Sequence, residues 1–251
     1  MIREITHILS EIPTVSLLDL EQVEFESRID TKYVFHQDLL VSFLDDIKDE
    51  LQVLEISGER IFGYENVYFD DPNYTFFKKH HSGFANRSKV RIRKYSDKGP
   101  FFFEIKSKTN KGKTEKYRVP LQYFGLDNDV EISNYLRSRI GYKMNELNRK
   151  TNINYQRITF TNKDLSEKYT IDFHMNTSNK NGSYDFKNLT IVEVKQKKFS
   201  GLSPFLRALR KINVAPTRFS KYCTSVIRLD HSVKHNRFKP ILRKVDKIIS
   251  A

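Results

Sequence analysis

Glu193 and Lys195 stand two residues apart around Val194, and the same spacing recurs in Arg91-Ile92-Arg93, Glu104-Ile105-Lys106 and Lys116-Tyr117-Arg118. Successive side chains on a β-strand alternate faces, so each charged pair projects from one side while the residue between them projects from the other. A first strand candidate extends the pattern, with Glu24, Glu26, Arg28, Asp30 and Lys32 alternating with Val23, Phe25, Ser27, Ile29 and Thr31. Several strands whose charged faces are mostly basic, with a few acids, describe a sheet that lines a binding surface for a polyanion.

An ordinary half-buried antiparallel strand also carries charge on its solvent face. The repeated like-charge neighbours tell against that reading. Arg91 with Arg93, and Lys116 with Arg118, sit roughly 7 Å apart on one face, which costs about 2 kcal/mol at an effective dielectric of about 20. A bound phosphate chain converts the repulsion into attraction, whereas a solvated face gains nothing from repeating it.

The rest of the chain must supply the elements that hold these residues. At 251 residues it suits one large domain or two small ones, and 38% hydrophobic residues, with 19 Phe and 13 Tyr, provide a sizeable core. The single cysteine, Cys223, excludes an intramolecular disulfide and fits a reducing, cytoplasmic setting as a small buried side chain. Lys and Arg total 44 against 31 Asp and Glu, a net charge of +13 that predicts anionic partners without choosing among them. Met1 to Leu20 lacks the continuous apolar core of a leader, and no run approaches the ~18 apolar residues of a membrane span.

Periodicity predicts strands over Val23–Phe35, Asn66–Phe69, Lys89–Tyr95, Phe101–Lys108, Thr114–Leu121, Ile153–Thr161, Tyr169–His174 and Leu189–Lys197. It predicts helices over Asp38–Leu51, Glu131–Leu147, Pro204–Ile212 behind a Ser203 cap, and a basic C-terminal helix, Lys239–Ile249. The turns are Asp70-Asp71-Pro72-Asn73, Ser96-Asp97-Lys98-Gly99-Pro100 and a basic Thr109–Lys113. Strands and helices mix without βαβ periodicity, so the class is α+β with an antiparallel sheet, and eight strands are enough to close a barrel. The chain divides into an N-terminal helical segment, 1–22, a main domain, 23–230, and the basic C-terminal segment, 231–251.

Nine motifs in order carry a resemblance: Arg28-Ile29-Asp30-Thr31-Lys32-Tyr33, Tyr68-Phe69-Asp70, Lys89 through Tyr95, Glu104-Ile105-Lys106, Lys116-Tyr117-Arg118, Tyr155-Gln156-Arg157, Thr170-Ile171-Asp172, Glu193-Val194-Lys195 and Phe219-Ser220-Lys221-Tyr222. Together they resemble the VTC domain, the polyphosphate polymerase branch of the CYTH-like triphosphate tunnel metalloenzymes. The resemblance implies a closed eight-stranded antiparallel β-barrel, a tunnel, with flanking helices. It implies Arg28, Lys32, Arg91, Arg93, Lys106, Lys116, Arg118, Arg157, Lys195, Ser220 and Lys221 as phosphate ligands. Arg91, Arg93, Lys106, Arg157, Lys195 and Glu193 form the implied catalytic set. Glu193 is the implied principal metal ligand for Mn²⁺ or Mg²⁺, with Glu104 and Asp172 as further candidates. The implied activity is transfer of the γ-phosphate of ATP to a growing inorganic polyphosphate chain, with release of ADP. ATP, polyphosphate and a pyrophosphate or short phosphate primer are the implied partners.

Elementary chemistry agrees, because phosphoryl transfer needs positioning and charge neutralisation more than covalent help. Carboxylate oxygens suit Mg²⁺ or Mn²⁺, and no Cys or His cluster argues for structural zinc. Lys106 and Lys195 each follow an acid by two, so a same-face salt bridge competes with phosphate binding. Asp30 reads as an orienting acid. The triplet Arg28, Asp30, Lys32 departs from the Glu-x-Glu-x-Lys signature of the wider tunnel superfamily, which favours the polymerase branch. Lys168 and Tyr169 stand where an Arg is expected. His80-His81 reads as loop, and no Gly-x-x-x-x-Gly-Lys phosphate loop is present. Two alternatives stay open, a tunnel triphosphatase for tripolyphosphate or nucleoside triphosphate, and a non-catalytic module binding polyphosphate or inositol polyphosphates. Nucleic acid is not expected as a partner.

Overall fold

Alternating charge becomes strand, as expected, over most of the chain. A computed structural model describes residues 1–22, 29–95, 99–111, 113–122, 130–198 and 200–251. In chain order the elements are α1 (Ile2–Glu11), β1 (Thr14–Val15), α2 (Leu17–Gln22), β2 (Ile29–His36), α3 (Leu39–Asp45), β3 (Leu51–Leu54), β4 (Phe62–Asp70), α4 (Thr75–Ser82), β5 (Arg87–Tyr95), β6 (Phe101–Lys108) and β7 (Thr114–Leu121). They continue with α5 (Val130–Ile140), β8 (Asn148–Asn162), β9 (Glu167–Asn179), β10 (Gly182–Asp185), β11 (Leu189–Gln196), α6 (Pro204–Lys211), α7 (Lys221–Leu229) and α8 (Lys239–Ile249). The part of the first predicted strand from Val23 to Arg28 lies outside the described residues.

The fold is α+β, with a large antiparallel sheet and flanking helices, but the closed eight-stranded barrel is corrected. Eight strands run in the hydrogen-bonded order β2-β11-β9-β8-β4-β5-β6-β7, and β1, β3 and β10 raise the sheet to eleven. Among the described residues β2 and β7 do not pair, so the sheet is not closed. The sequence of β7 explains its edge position. Pro120 lacks the N–H a further ladder needs, and Glu115, Lys116 and Arg118 charge the edge. The sheet still curls round, because Asp30 on β2 and Lys106 on β6 lie 3.8 Å apart across the gap.

Two further boundaries differ from the periodicity reading. The helix predicted over Asp38–Leu51 stops at Asp45, and Leu51–Leu54 pairs with β8 and with β1. Leu40, Phe43, Leu44 and Ile47 are nevertheless all buried, as helical spacing requires. The helix predicted over Glu131–Leu147 stops at Ile140. Gly141, at φ 76°, takes the left-handed conformation that ends a helix cheaply only for glycine.

The outer face of the sheet forms two apolar layers. Ile92, Phe103 and Ile105 pack beneath Ile132 and Leu136 of α5. Ile171, Val192 and Val194 pack beneath α1, α3 and α6. The inner face is divided. At one end Val34, Tyr68, Ile153 and Ile191 meet Tyr222, Cys223, Val226 and Ile227 of α7, with Leu242 and Val245 of α8 behind. Buried Asp70 anchors this end, accepting hydrogen bonds from the N–H groups of Phe76 and Phe77, 2.9 Å each, and from the Tyr222 hydroxyl, 2.6 Å. The rest of the inner face is polar. No helix among the described residues is long and apolar enough to cross a membrane.

Candidate functional site

A cavity of about 1310 Å³ occupies the polar part of the inner face. It is lined by Lys32 and Asp30 from β2, Arg91 and Arg93 from β5, Glu104 and Lys106 from β6, Lys116 and Arg118 from β7, Arg157 from β8, Glu193 and Lys195 from β11, and Ser220 and Lys221 at the start of α7. Strand parity brings these together while Ile92, Ile105 and Val194 go to the opposite face. Arg28 lies outside the described residues. Asp172 is not on the wall itself and sits just behind it, bound to Arg157 and Lys221.

Three acids organise the bases. Glu104, 2% exposed, lies 2.5 Å from Arg91, 3.9 Å from Arg93, 3.0 Å from Lys116 and 4.0 Å from Arg118. Burial works against its ionisation, but Arg91, Arg93 and Lys116 outweigh that and hold the carboxyl well below the ordinary range. Glu193 lies 2.6 Å from Lys32 and 2.9 Å from Lys195. Its burial is likewise outweighed by Lys195, Lys32 and Lys106, leaving a firmly ionised carboxylate. The same-face pair expected for Lys195 therefore forms. Lys106 instead reaches Asp30 on the far edge of the sheet, and does not pair with Glu104.

Asp172 accepts two hydrogen bonds from Arg157, at 2.5 and 2.7 Å, and a third from Lys221. Burial would raise its pKa, yet Arg157 and Lys221 bring it down to about 2. An unfolded aspartate titrates near 3.9. Because the folded value is the lower one, this cluster stabilises the fold fully above about pH 4 and loses that contribution as pH falls through about 2, some ~2 kcal/mol in all. Asp172→Asn should remove that acid-sensitive component. In urea titrations the wild type should lose about 2 kcal/mol more than the variant between pH 4 and pH 2. Equal losses would show that the Arg157–Asp172–Lys221 cluster does not set the acid response.

The lumen also contains residues that were not among the expected phosphate ligands. Lys89 lines the cavity, with its ammonium 3.2 Å from Ser220 Oγ, and Lys168 lines it too. Burial pushes the Lys89 pKa down, and the charges of Lys32 and Arg91 add to this. Lys106 is lowered for similar reasons, burial first and then Lys32 and Lys89. Lysines that disfavour one another's protons in this way gain from an arriving anion. Tyrosines form the floor beneath the arginines. Arg93 lies 5.1 Å from the Tyr64 ring and 5.5 Å from Tyr95, and Arg157 lies 4.9 Å from Tyr64 and 5.3 Å from Tyr155. Tyr64 stacks on Tyr155 at 5.2 Å. The signal for these residues was already in the parity rule. Lys89 and Tyr95 flank Arg91 and Arg93 by two, and Tyr155 precedes Arg157 by two.

The C-terminal side of the lumen ends in the first turn of α7. Ser220 caps it, its hydroxyl accepting from the Cys223 N–H at 3.3 Å, so Lys221 and the helix N-terminus face the cavity. Cys223 is buried, and burial raises its thiol pKa to about 11, so it is a packing residue and not a nucleophile. His80 and His81 are on α4, which corrects the loop reading. Burial, with Lys89 and Arg87 nearby, lowers the His80 pKa to about 3.

No group of three or more His, Cys, Asp or Glu that could hold a metal ion occurs among the described residues. One carboxylate together with substrate oxygens can hold a cation, the arrangement Mg²⁺ commonly adopts beside phosphates. Glu193 fits that arrangement, being ionised, 15% exposed and on the cavity wall. Glu104 and Asp172 are more deeply buried, Glu104 among four bases and Asp172 behind the cavity wall.

The site is thus a curled antiparallel sheet with a cationic inner face and one end filled by a helix. The VTC domain model matches residues 27–229, and the chain belongs to that family. Solved structures agree on the fold. A candidate adenylate cyclase from Bacillus halodurans is 14% identical, with a TM-score of 0.51 over 79% of this chain and 96% of that one. The candidate adenylyl cyclase HpAC1 from Hippeastrum, described as having a dominant triphosphatase activity, is also 14% identical, with a TM-score of 0.52 over 83% of this chain and 100% of that one. No curated protein matches the sequence.

Proposed function

We propose that the protein is a metal-dependent polyphosphate polymerase that transfers the γ-phosphate of ATP to the end of a phosphate chain and releases ADP. The observation that carries this reading is the charge of the lumen. Eleven lysines and arginines line the cavity against five carboxylates, a surplus larger than a single nucleoside triphosphate neutralises. Such a surplus suits a donor and a chain held together.

Arg91, Arg93 and Arg157 are the deep ligands, preoriented by Glu104 and Asp172 so that their forks meet phosphate oxygens without first losing rotamer freedom. Lys32, Lys106 and Lys195 surround the place where charge develops on the transferring group, and Lys221 with the α7 N-terminus receives phosphate at the closed end. Lys116 and Arg118, 44% and 39% exposed, guide the chain at the rim. Glu193 would hold Mn²⁺ or Mg²⁺, which when bound neutralises charge on the bridging oxygens. The acceptor is a phosphate oxygen, so no protein nucleophile is needed.

The open rim favours a second reading, because water that reaches Lys106 and Lys116 can compete with the acceptor. That reading is triphosphatase activity, which is also the dominant activity described for the Hippeastrum protein. One tube decides between them. ATP with Mn²⁺ should give ADP and polymer retained by size, with little orthophosphate, and a shorter lag when a short phosphate primer is added. Orthophosphate as the main product would select the triphosphatase. Tight polyphosphate binding without turnover would make the protein a binding module.

A further inference from the structure

Phosphate binding leaves the outer part of the cavity unexplained. The cavity continues from the lumen to an apolar lip made by Leu17, Leu20, Leu54, Ile56, Ile61 and Phe62. Leu17 is 48% exposed and Ile56 40%, although both line the same space as the arginines. An inorganic phosphate chain has no apolar surface to cover them, so they serve it in no way. The lip is also built, not loose. Ile56 and Glu59 exchange two backbone hydrogen bonds of 3.0 Å around Ser57 and Gly58, whose φ angles of 52° and 81° are those of a type I′ turn. Arg60 pins this hairpin, donating to Glu55 at 2.8 Å and to the carbonyls of Leu9 and Ile12 at the end of α1. Inward, Phe62 pairs with Arg157 across the β4–β8 ladder, and Tyr64 follows on the same face. Apolar and aromatic groups therefore lead without a break from the lip to the deep arginines.

We propose that this lip is the nucleoside subsite, taking the base and ribose of a nucleoside triphosphate whose phosphates occupy the lumen. The inference rests on the phosphate-lumen reading above. Leu17, Ile56 and Phe62 offer the base a face to lie against, and base–aromatic contact is worth having for any base. Glu21 and Glu59 line the same end. Carboxylates there repel a phosphate chain but accept from ribose hydroxyls, so charge and hydrogen bonding both favour the uncharged end of a nucleotide at the lip. Apolar contact distinguishes bases poorly, so ATP and GTP should bind with affinities within about threefold of each other.

The test compares ATP with tripolyphosphate, which shares the phosphates and lacks the nucleoside, by calorimetry at one Mn²⁺ concentration. In the double variant Leu17→Ser/Ile56→Ser, changed only at half-exposed positions, ATP affinity should fall about tenfold while tripolyphosphate affinity stays within about twofold. Phe62→Ala should lower ATP affinity by a similar factor. If both ligands are unaffected, or both weaken together, the lip is not a nucleoside subsite. A wild type that binds tripolyphosphate but not ATP would overturn the lip and leave the lumen reading intact. A wild type that binds neither would overturn the lumen reading itself.

Discussion

Glu193→Gln should abolish divalent-dependent turnover, by on the order of 10²–10³-fold, while phosphate binding persists. The substitution keeps shape and removes one charge. Glutamine cannot replace an anionic oxygen toward Mn²⁺, so the cation loses its protein ligand. The lumen gains net positive charge, because Lys32 and Lys195 both lose the carboxylate now 2.6 and 2.9 Å away. Tripolyphosphate measured without metal should therefore bind at least as tightly as to the wild type. The ligand-free variant should be less stable, since three lysines that shared one carboxylate now face each other, and added polyphosphate should restore it. Near wild-type turnover with Mn²⁺ would move the metal to Glu104 or Asp172.

Arg93→Ala is expected to weaken tripolyphosphate and polyphosphate binding by roughly ten- to a hundredfold, the ~1.5–3 kcal/mol of a charge-assisted hydrogen-bonding partner. Arg93 is 8% exposed, donates to Asn66 at 2.8 Å and to Tyr155 at 3.2 Å, and lies over two tyrosine rings. Its guanidinium is thus fixed before a ligand arrives, and the loss should grow with the number of phosphates held. Arg93→Lys should not rescue, because an ammonium cannot reproduce the planar fork or the ring contact. Calorimetry across a salt series supplies the check. Wild-type affinity should fall with salt, and the variant should show a shallower slope. An unchanged affinity in Arg93→Ala would reduce these bases to surface charge.

Much of the lumen was legible because a strand's side-chain period is two. Once Arg91 and Arg93 are on a strand they share a face, whatever the rest of the fold does, and the same holds for Lys116 with Arg118 and Glu193 with Lys195. Lys89, Tyr95 and Tyr155 obey the same rule and were readable from it. Helix ends were less legible. Local spacing through Ile47 is the same whether the helix continues or not, and Leu51–Leu54 becomes a strand only because β8, a hundred residues later, offers it a ladder.

The sequence by itself therefore determined which residues face together along each strand, the α+β class and the basic character of the inner face. Only the tertiary structure decided how strands sit beside one another. Register placed Glu104 opposite Arg91 and Arg118, so one carboxylate orders bases from the two strands that flank it. Curvature brought Asp30 within 3.8 Å of Lys106, a pair 76 positions apart in the chain. Docking of α7 through Tyr222 and Asp70 turned Ser220 and Lys221 into the wall of one end. These are contacts between segments distant in sequence, set by packing and hydrogen bonding across the whole sheet, and no local pattern of residues encodes them.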